Sequence, residues 1–304
     1  MKCMKYHVPV LKEEALALLN PQKNENAIDG TIGDGGHGEA ILEAIGPKGK
    51  LLGIDLDPKA LETAKERLRR FEKRAILAQG NFSAMEEIAA RVGFPTPDLI
   101  LLDLGLRTAE LESSGRGFSF KRDEPLDMRF DPENPATASH IVNQSSKNEL
   151  IAVFRSFGEE PLANEIAEGI ISERKKNPIV RTNQLSEIIL SAYRMKLKSK
   201  KEIPWIGGLH PATRIFQALR IRTNDELEHL RGALPQIKRL LKAGGRGAII
   251  SFHSLEDRIV KRFLKAQGND IKILTKKPLI PDLEEIEKNP AARSAKLRVF
   301  QKIK

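Results

Sequence analysis

The sequence predicts an α/β fold: a mostly parallel sheet covered by helices on both faces and interrupted by an all-helical insertion. Three observations predict it. Short apolar runs alternate with helical patterns from residue 26 to 105, and the same rhythm returns near the carboxyl end. Between these regions the rhythm stops, and only helical patterns and a polar loop remain. A glycine-rich stretch, "DGTIGDGGHGEAIL" (29–42), lies between the first apolar run and the first amphipathic one. Turns that receive nucleotide-like ligands in such folds occupy this place.

The first strand is "NAID" (26–29), followed by "KLLGIDLD" (50–57), "AILAQGN" (75–81) and "PDLILLDLG" (97–105), with helices over 38–46, 58–72 and 83–92. Runs this apolar on both faces belong to a sheet covered on both sides, joined by right-handed crossovers. The stretch 112–137 is rich in Gly, Ser, Asp and Pro and reads as loop; helical patterns follow over 147–157, 159–175 and 182–195. A helix over 224–241 ends at the "AGG" of 243–245, a C-terminal capping signal. Then come a strand over 246–254, a helix from Leu255 to Ala266, and two strands, 270–275 and 295–303, that pair as an antiparallel edge. The expected boundaries are a sheet domain of residues 1–111 and 212–304 with an inserted helical domain, 112–211.

At 304 residues, with 40% apolar and 30% charged residues, the chain is long enough for two cores and is ordinary for a globular protein. It contains no run of 18 apolar residues, and the apolar stretch near its start is interrupted by Glu13 and Glu14, so a cytoplasmic protein without membrane partners is expected. The single cysteine, Cys3, excludes an internal disulfide, and the six histidines show no HxxxH or HExxH spacing, so no metal is expected. A net charge of +10 favours polyanionic partners such as nucleic acid.

The glycine loop precedes a helix, whose first turn offers free N–H groups. Asp55 ends the second apolar run about twenty residues further on, where a carboxylate can accept both hydroxyls of an adenine-linked ribose. Asp57, just before Pro58, reads instead as a helix cap. The loop is G-D-G-G-H (33–37) and not G-x-G-x-x-G, and Asp34 would repel a pyrophosphate. S-adenosylmethionine, which has an adenosine, a sulfonium and an ammonium but no phosphate, fits better than a dinucleotide. Asn81 and Phe82 after the third strand supply a backbone N–H and an aromatic face for adenine.

Nine segments occur in order: "YHVPVL" (6–11), "IDGTIGDGGH" (28–37), "DLDP" (55–58), "RGFSF" (116–120), "PLDMRFD" (125–131), "HPATRIFQALRI" (210–221), "SFHSLEDRIVKRF" (251–263), "TKKPLIP" (275–281) and "RSAKLRV" (293–299). Together they closely resemble the bacterial ribosomal RNA small-subunit methyltransferase H family, also called MraW, across essentially the whole chain. The resemblance implies a Rossmann-like class I S-adenosylmethionine-dependent methyltransferase with an inserted small helical domain. It also implies methylation of the exocyclic N4 of one cytidine in the decoding region of 16S rRNA, within the small ribosomal subunit. Carried over by position, the methyl-donor contacts are Gly35, Gly36, His37, Asp55, Phe82, Asp103 and Glu110. Where the family reads D-L-G-V-S-S-x-Q-L, this chain has "DLGLRTAEL" (103–111), with Arg107 and Thr108 replacing two serines and Glu110 replacing glutamine.

The lone pair of a cytosine N4 is delocalised into the ring, so its methylation needs acceptors that hold the amine and take its proton. Asp103, at a strand end, is the first candidate, with capping of the turn into Gly105 as its structural alternative; His253 and Asp127 are the other catalytic candidates. A cytosine edge is reached only in an unpaired or extruded base. Arg116, Arg129, Arg214 and Arg220 are candidates for RNA phosphates, supplemented by the basic run "RMKLKSKK" (194–201). The alternatives are a noncatalytic RNA-binding assembly factor that keeps the donor pocket, motivated by the altered 106–110 segment, and a dinucleotide-dependent oxidoreductase. The sequence leaves oligomeric state open, a homodimer included.

Overall fold

In the computed structural model, the residues described are 8–106, 115–198 and 210–304. The chain divides into two compact units, one of residues 1–105 and 227–304 and the other of Leu106–Glu226.

The first unit is built on a seven-stranded sheet of order β3-β2-β1-β4-β5-β7-β6. Its strands are β1 (Ala27–Asp29), β2 (Leu51–Asp55), β3 (Ala75–Gln79), β4 (Leu99–Asp103), β5 (Arg246–Ser251), β6 (Ile271–Ile273) and β7 (Lys296–Lys302). β1 to β5 run parallel and β7 pairs antiparallel with both β5 and β6, which gives the Rossmann-like arrangement. The antiparallel pair expected at the carboxyl end is present, but β7 lies inside the sheet and, of the two, β6 alone is an edge strand.

Alternation of side chains explains how one sheet supports two cores. Leu99 and Leu101 of β4 pack on one face with Ile41 and Leu42 of α2 (Gly36–Ala44), Ala64 and Leu68 of α3 (Pro58–Leu68), and Leu19 of α1 (Lys12–Leu19). Ile100 and Leu102 point to the other face and join Met85 and Ile88 of α4 (Met85–Arg91). Leu230 and Leu234, from a helix over Glu226–Leu240, complete that layer with Val260 and Leu264 of the helix Ser254–Ala266. The motif residues Asp257 and Arg298 tie this last helix to β7 through a two-point ion pair, at 2.6 and 3.2 Å, in which Arg298 is buried.

The second unit has one core of its own. Among the described residues its helices are α5 (Ala138–Gln144), α6 (Lys147–Gly158), α7 (Ala163–Arg174), α8 (Thr182–Leu197) and α9 (Ala212–Asn224). The reciprocal box of Ser146 and Glu149 starts α6. α9 was not anticipated as a separate helix, and it moves a boundary. Its Ile215, Phe216 and Leu219 are buried with Phe154 of α6, and the two helices approach so closely that a Cβ on Gly158 would lie 2.7 Å from the Arg214 carbonyl. The helical unit therefore runs to Glu226 and not to residue 211. The break falls at Asp225, in the left-handed conformation, which splits the expected 224–241 helix from α9.

Candidate cofactor site

The candidate site stands where β1, β2 and β4 end in aspartates, Asp29, Asp55 and Asp103, beside the loop that leads into α2. Gly33 and Gly35 both have positive φ, 50° and 81°, which explains glycine there. Gly36 is required for a different reason: a Cβ would lie 2.3 Å from Cγ of Pro9, so the group that approaches this backbone is the chain's own amino-terminal segment.

Asp55 braces the loop. Its Oδ2 accepts the Gly33 N–H at 2.9 Å and its Oδ1 accepts the Asp57 N–H at 2.9 Å. Asp57 caps α3 by accepting from Lys59 N. Asn81 accepts the Ser83 N–H and its amide contacts Nδ1 of His229 at 3.0 Å, fixing the short turn that starts at Phe82. The Phe82 Cβ lies above Gly30, where a side chain would come within 3.2 Å of it.

Asp103 donates its backbone N–H to Thr31 Oγ1 at 2.6 Å, and its carboxylate faces His37 rather than capping the turn into Gly105. Nε2 of His37 is 3.5 Å from Asp103 Oδ2, a contact without hydrogen-bond alignment. Beneath this pair lies Asp29, 1% exposed, which sequence reasoning did not single out although it opens the glycine motif. Burial pushes its carboxyl up to about 7; His37 and the Thr31 N–H act against this, while Asp103 and Asp55 add to it. Three buried polar atoms here, Asp29 Oδ2, His37 Nε2 and Asp103 Oδ1, have no hydrogen-bond partner. Buried polar atoms are normally satisfied, so a cluster of orphans beside a glycine loop marks a place for a ligand.

The other candidates are held differently. His253 is the N-cap of the Ser254–Ala266 helix: its Nδ1 accepts the Glu256 N–H, and Glu256 Oε2 accepts from Phe252 N and His253 N. This capping box accounts for Nδ1 of His253; its buried Nε2 lies 3.2 Å from Glu256 Oε1 without a hydrogen bond. Asp127 is clasped by Arg129, whose Nε and Nη2 reach its two oxygens at 2.7 and 2.8 Å. Burial opposes ionisation of Asp127, but the hydrogen bonds and charge of Arg129 prevail and hold its carboxyl below the usual range, which makes it a weak base.

Three of the four arginines expected on phosphate are engaged within their own unit. Nη1 of Arg129 also donates to the carbonyls of Pro132 and Asn134, Arg116 donates to those of Arg129 and Phe130, and Arg220 forms a two-point pair with Glu226 at 2.8 and 2.9 Å. Arg116 and Arg129 brace the "PLDMRFD" turn, in which buried Met128 has a φ of 62° and its carbonyl accepts from Asn224. Arg214 donates Nη1 to the Glu159 carbonyl. Glu110, with Arg107 and Thr108, lies outside the described residues, as do residues 199–201 of the basic run.

No described helix is long and apolar enough to cross a membrane. The sequence profile of the MraW methylase family matches residues 4–303. A protein of Desulfosudis oleivorans called ribosomal RNA small subunit methyltransferase H is 42% identical over 98% of this chain and 99% of its own length. Proteins of the same name from Geotalea daltonii and Geobacter sulfurreducens are 44% and 43% identical, each over 98% of this chain, covering 98% and 99% of their own lengths.

Proposed function

Because the chain belongs to the MraW methylase family and spans nearly the full length of these relatives, we propose that it uses S-adenosylmethionine to methylate the exocyclic N4 of a cytidine in the decoding region of 16S rRNA. The substrate is the small ribosomal subunit, and the reaction takes place in the cytoplasm. The observation that carries the site assignment is the set of orphaned buried atoms of Asp29, His37 and Asp103 beside the glycine loop.

The residues present fit the donor. S-adenosylmethionine supplies a methyl group on a positively charged sulfur, and transfer leaves a neutral sulfide together with one excess proton on the methylated amine. A cationic ligand needs unspent acceptors, and Asp29 Oδ2 and Asp103 Oδ1 are such acceptors. Gly35, Gly36 and His37 would hold the donor beside the start of α2, with Pro9 supporting the loop from behind. Asp55, fixed by its two backbone bonds, would accept from the ribose hydroxyls, and Phe82 would cover the adenine. Asp103 orients the N4 amine and accepts its proton, with His37 steadying its carboxylate. Arg214 contributes a phosphate contact.

The test is methyl transfer from labelled S-adenosylmethionine to small subunits taken from cells lacking the activity, followed by nucleoside mass spectrometry. Label in N4-methylcytidine is the expected result. No label despite measurable binding of donor and subunit would overturn the reading.

A further inference from the structure

Three carboxylates stand at neighbouring strand ends, and one histidine faces them. Asp29 is the deepest. Its Oδ1 accepts the Thr31 N–H at 3.2 Å, its Oδ2 accepts nothing, and the titratable groups that act on it are His37 from α2, Asp103 from β4 and Asp55 from β2. The histidine is shared with Asp103, whose Oδ2 it approaches at 3.5 Å, so Asp29 has no dedicated counter-charge among these groups. An ionised carboxylate in that position is costly while the site lacks a cation, and a proton on Asp29 is the cheapest neutraliser.

We propose that Asp29 is a charge-matching group for the cofactor: it releases a proton when the cationic sulfonium donor binds, and takes one back when the neutral sulfide product is left in the site. This rests on the S-adenosylmethionine reading above. The bond broken on donor binding is O–H of the Asp29 carboxyl, and the proton passes to solvent. No covalent bond forms, and the charge of the buried cluster plus ligand stays constant. After methyl transfer the donor's positive charge is gone and the proton from the methylated amine is on Asp103; passage of that one proton to Asp29 restores the balance with none taken from solvent. A positive charge near a carboxyl favours its ionised form by about ten- to a thousandfold, whereas the neutral sulfide provides no such bias. The site thereby separates two ligands that differ by one methyl group and one charge.

The sign of the pH dependence follows. Above neutrality Asp29 is already ionised, so the donor binds without displacing a proton; below it, each binding event must expel one. Donor affinity is expected to rise up to about tenfold between pH ~6 and ~8, while affinity for the product, S-adenosylhomocysteine, stays nearly flat.

Calorimetry with the full-length protein near pH ~7, in phosphate and in Tris, reads the proton directly through the difference in buffer ionisation heat. About half a proton released with S-adenosylmethionine and close to none with S-adenosylhomocysteine is expected. Equal exchange with both ligands, or none with either, overturns the proposal while leaving the donor site intact. Absence of donor binding in both buffers strikes instead at the cofactor reading. Asp29→Asn is expected to abolish the release and flatten the pH profile, and His37→Gln to keep the release. The reverse pattern would make the histidine the proton source and overturn the assignment. If Asp29→Asn does not fold, infrared difference spectra of the wild-type protein decide: loss of a protonated carboxyl band on adding the donor supports Asp29, and no change in that region refutes it.

Discussion

At Asp29 a single buried oxygen couples stability to function. Its carboxyl titrates near 3.8 when solvated and at about 7 in the fold, so between those values the folded protein binds more protons than the unfolded chain. Stability of the ligand-free protein therefore falls as pH rises through this window, by up to roughly 4 kcal/mol. Asp29→Asn is expected to raise the urea midpoint at pH ~8 by an amount worth about 2–4 kcal/mol, with the gain shrinking toward pH ~4. A midpoint that responds equally at both ends would contradict the assignment. Asp55 is different, because its two oxygens are already tied to Gly33 and Asp57. Asp55→Ala is expected to weaken S-adenosylmethionine binding by about 10- to 100-fold with the unfolding transition still cooperative; unchanged affinity in calorimetry would remove Asp55 from the site. Both aspartates end strands and look alike in sequence. Asp55 was recognisable because its distance from the glycine loop is a known spacing, whereas the value of Asp29 depends on what surrounds it in three dimensions.

The glycine loop and the "PLDMRFD" turn both read as functional elements, and the fold gives them different tasks. In the loop, Gly36 admits Pro9, so the amino-terminal segment is part of the loop's support. Gly36→Ala is expected to cost about 1–3 kcal/mol, and Pro9→Ala in the same chain to recover much of it. Lack of recovery in a double-mutant cycle would show that the contact does not carry the effect. In the turn, the left-handed Met128 is held by Asn224, which also accepts from Phe130 N and donates to the Arg220 carbonyl. Asn224→Ala strands these buried and half-buried partners and is expected to cost roughly 1–3 kcal/mol, measured by urea denaturation. The arginines of these segments were candidates for phosphate because motif membership carries no information about side-chain partners. A local signal was present: Asp127 lies two residues from Arg129 and Glu226 six from Arg220, close enough to claim both. His253 carried a similar signal, since Glu256 three residues later is the spacing of a capping box.

For the whole molecule, the net charge of +10 has to act through cations that the fold leaves available. Arg214 is one, whereas Arg116, Arg129 and Arg220 are spent on internal structure. Arg214→Gln is expected to lower the slope of log affinity against log salt for small subunits by about one, with stability nearly unchanged. Arg129→Gln should do the opposite, lowering stability and leaving the slope alone. Equal slopes for wild type and Arg214→Gln would exclude that phosphate contact. At this scale the sequence reading placed every strand of the sheet and marked where the rhythm breaks. It missed the length of the helical unit, since α9 has the same periodicity as the helix after it and only its packing on α6 assigns it to a unit.

The sheet, its helical layers, the glycine loop and the cofactor class were legible in the order of the residues. These follow from apolar period, strand length and the spacing of turn residues, which are local and survive without knowledge of neighbours. Only the tertiary structure decided which charges remain unspent. Asp29, His37 and Asp103 come from different elements, and their shared shortage of hydrogen-bond partners exists only once β1, β4 and α2 are packed together. Ionisation in such a cluster depends on burial and on charges a few ångströms away, and neither quantity is written in the order of the residues.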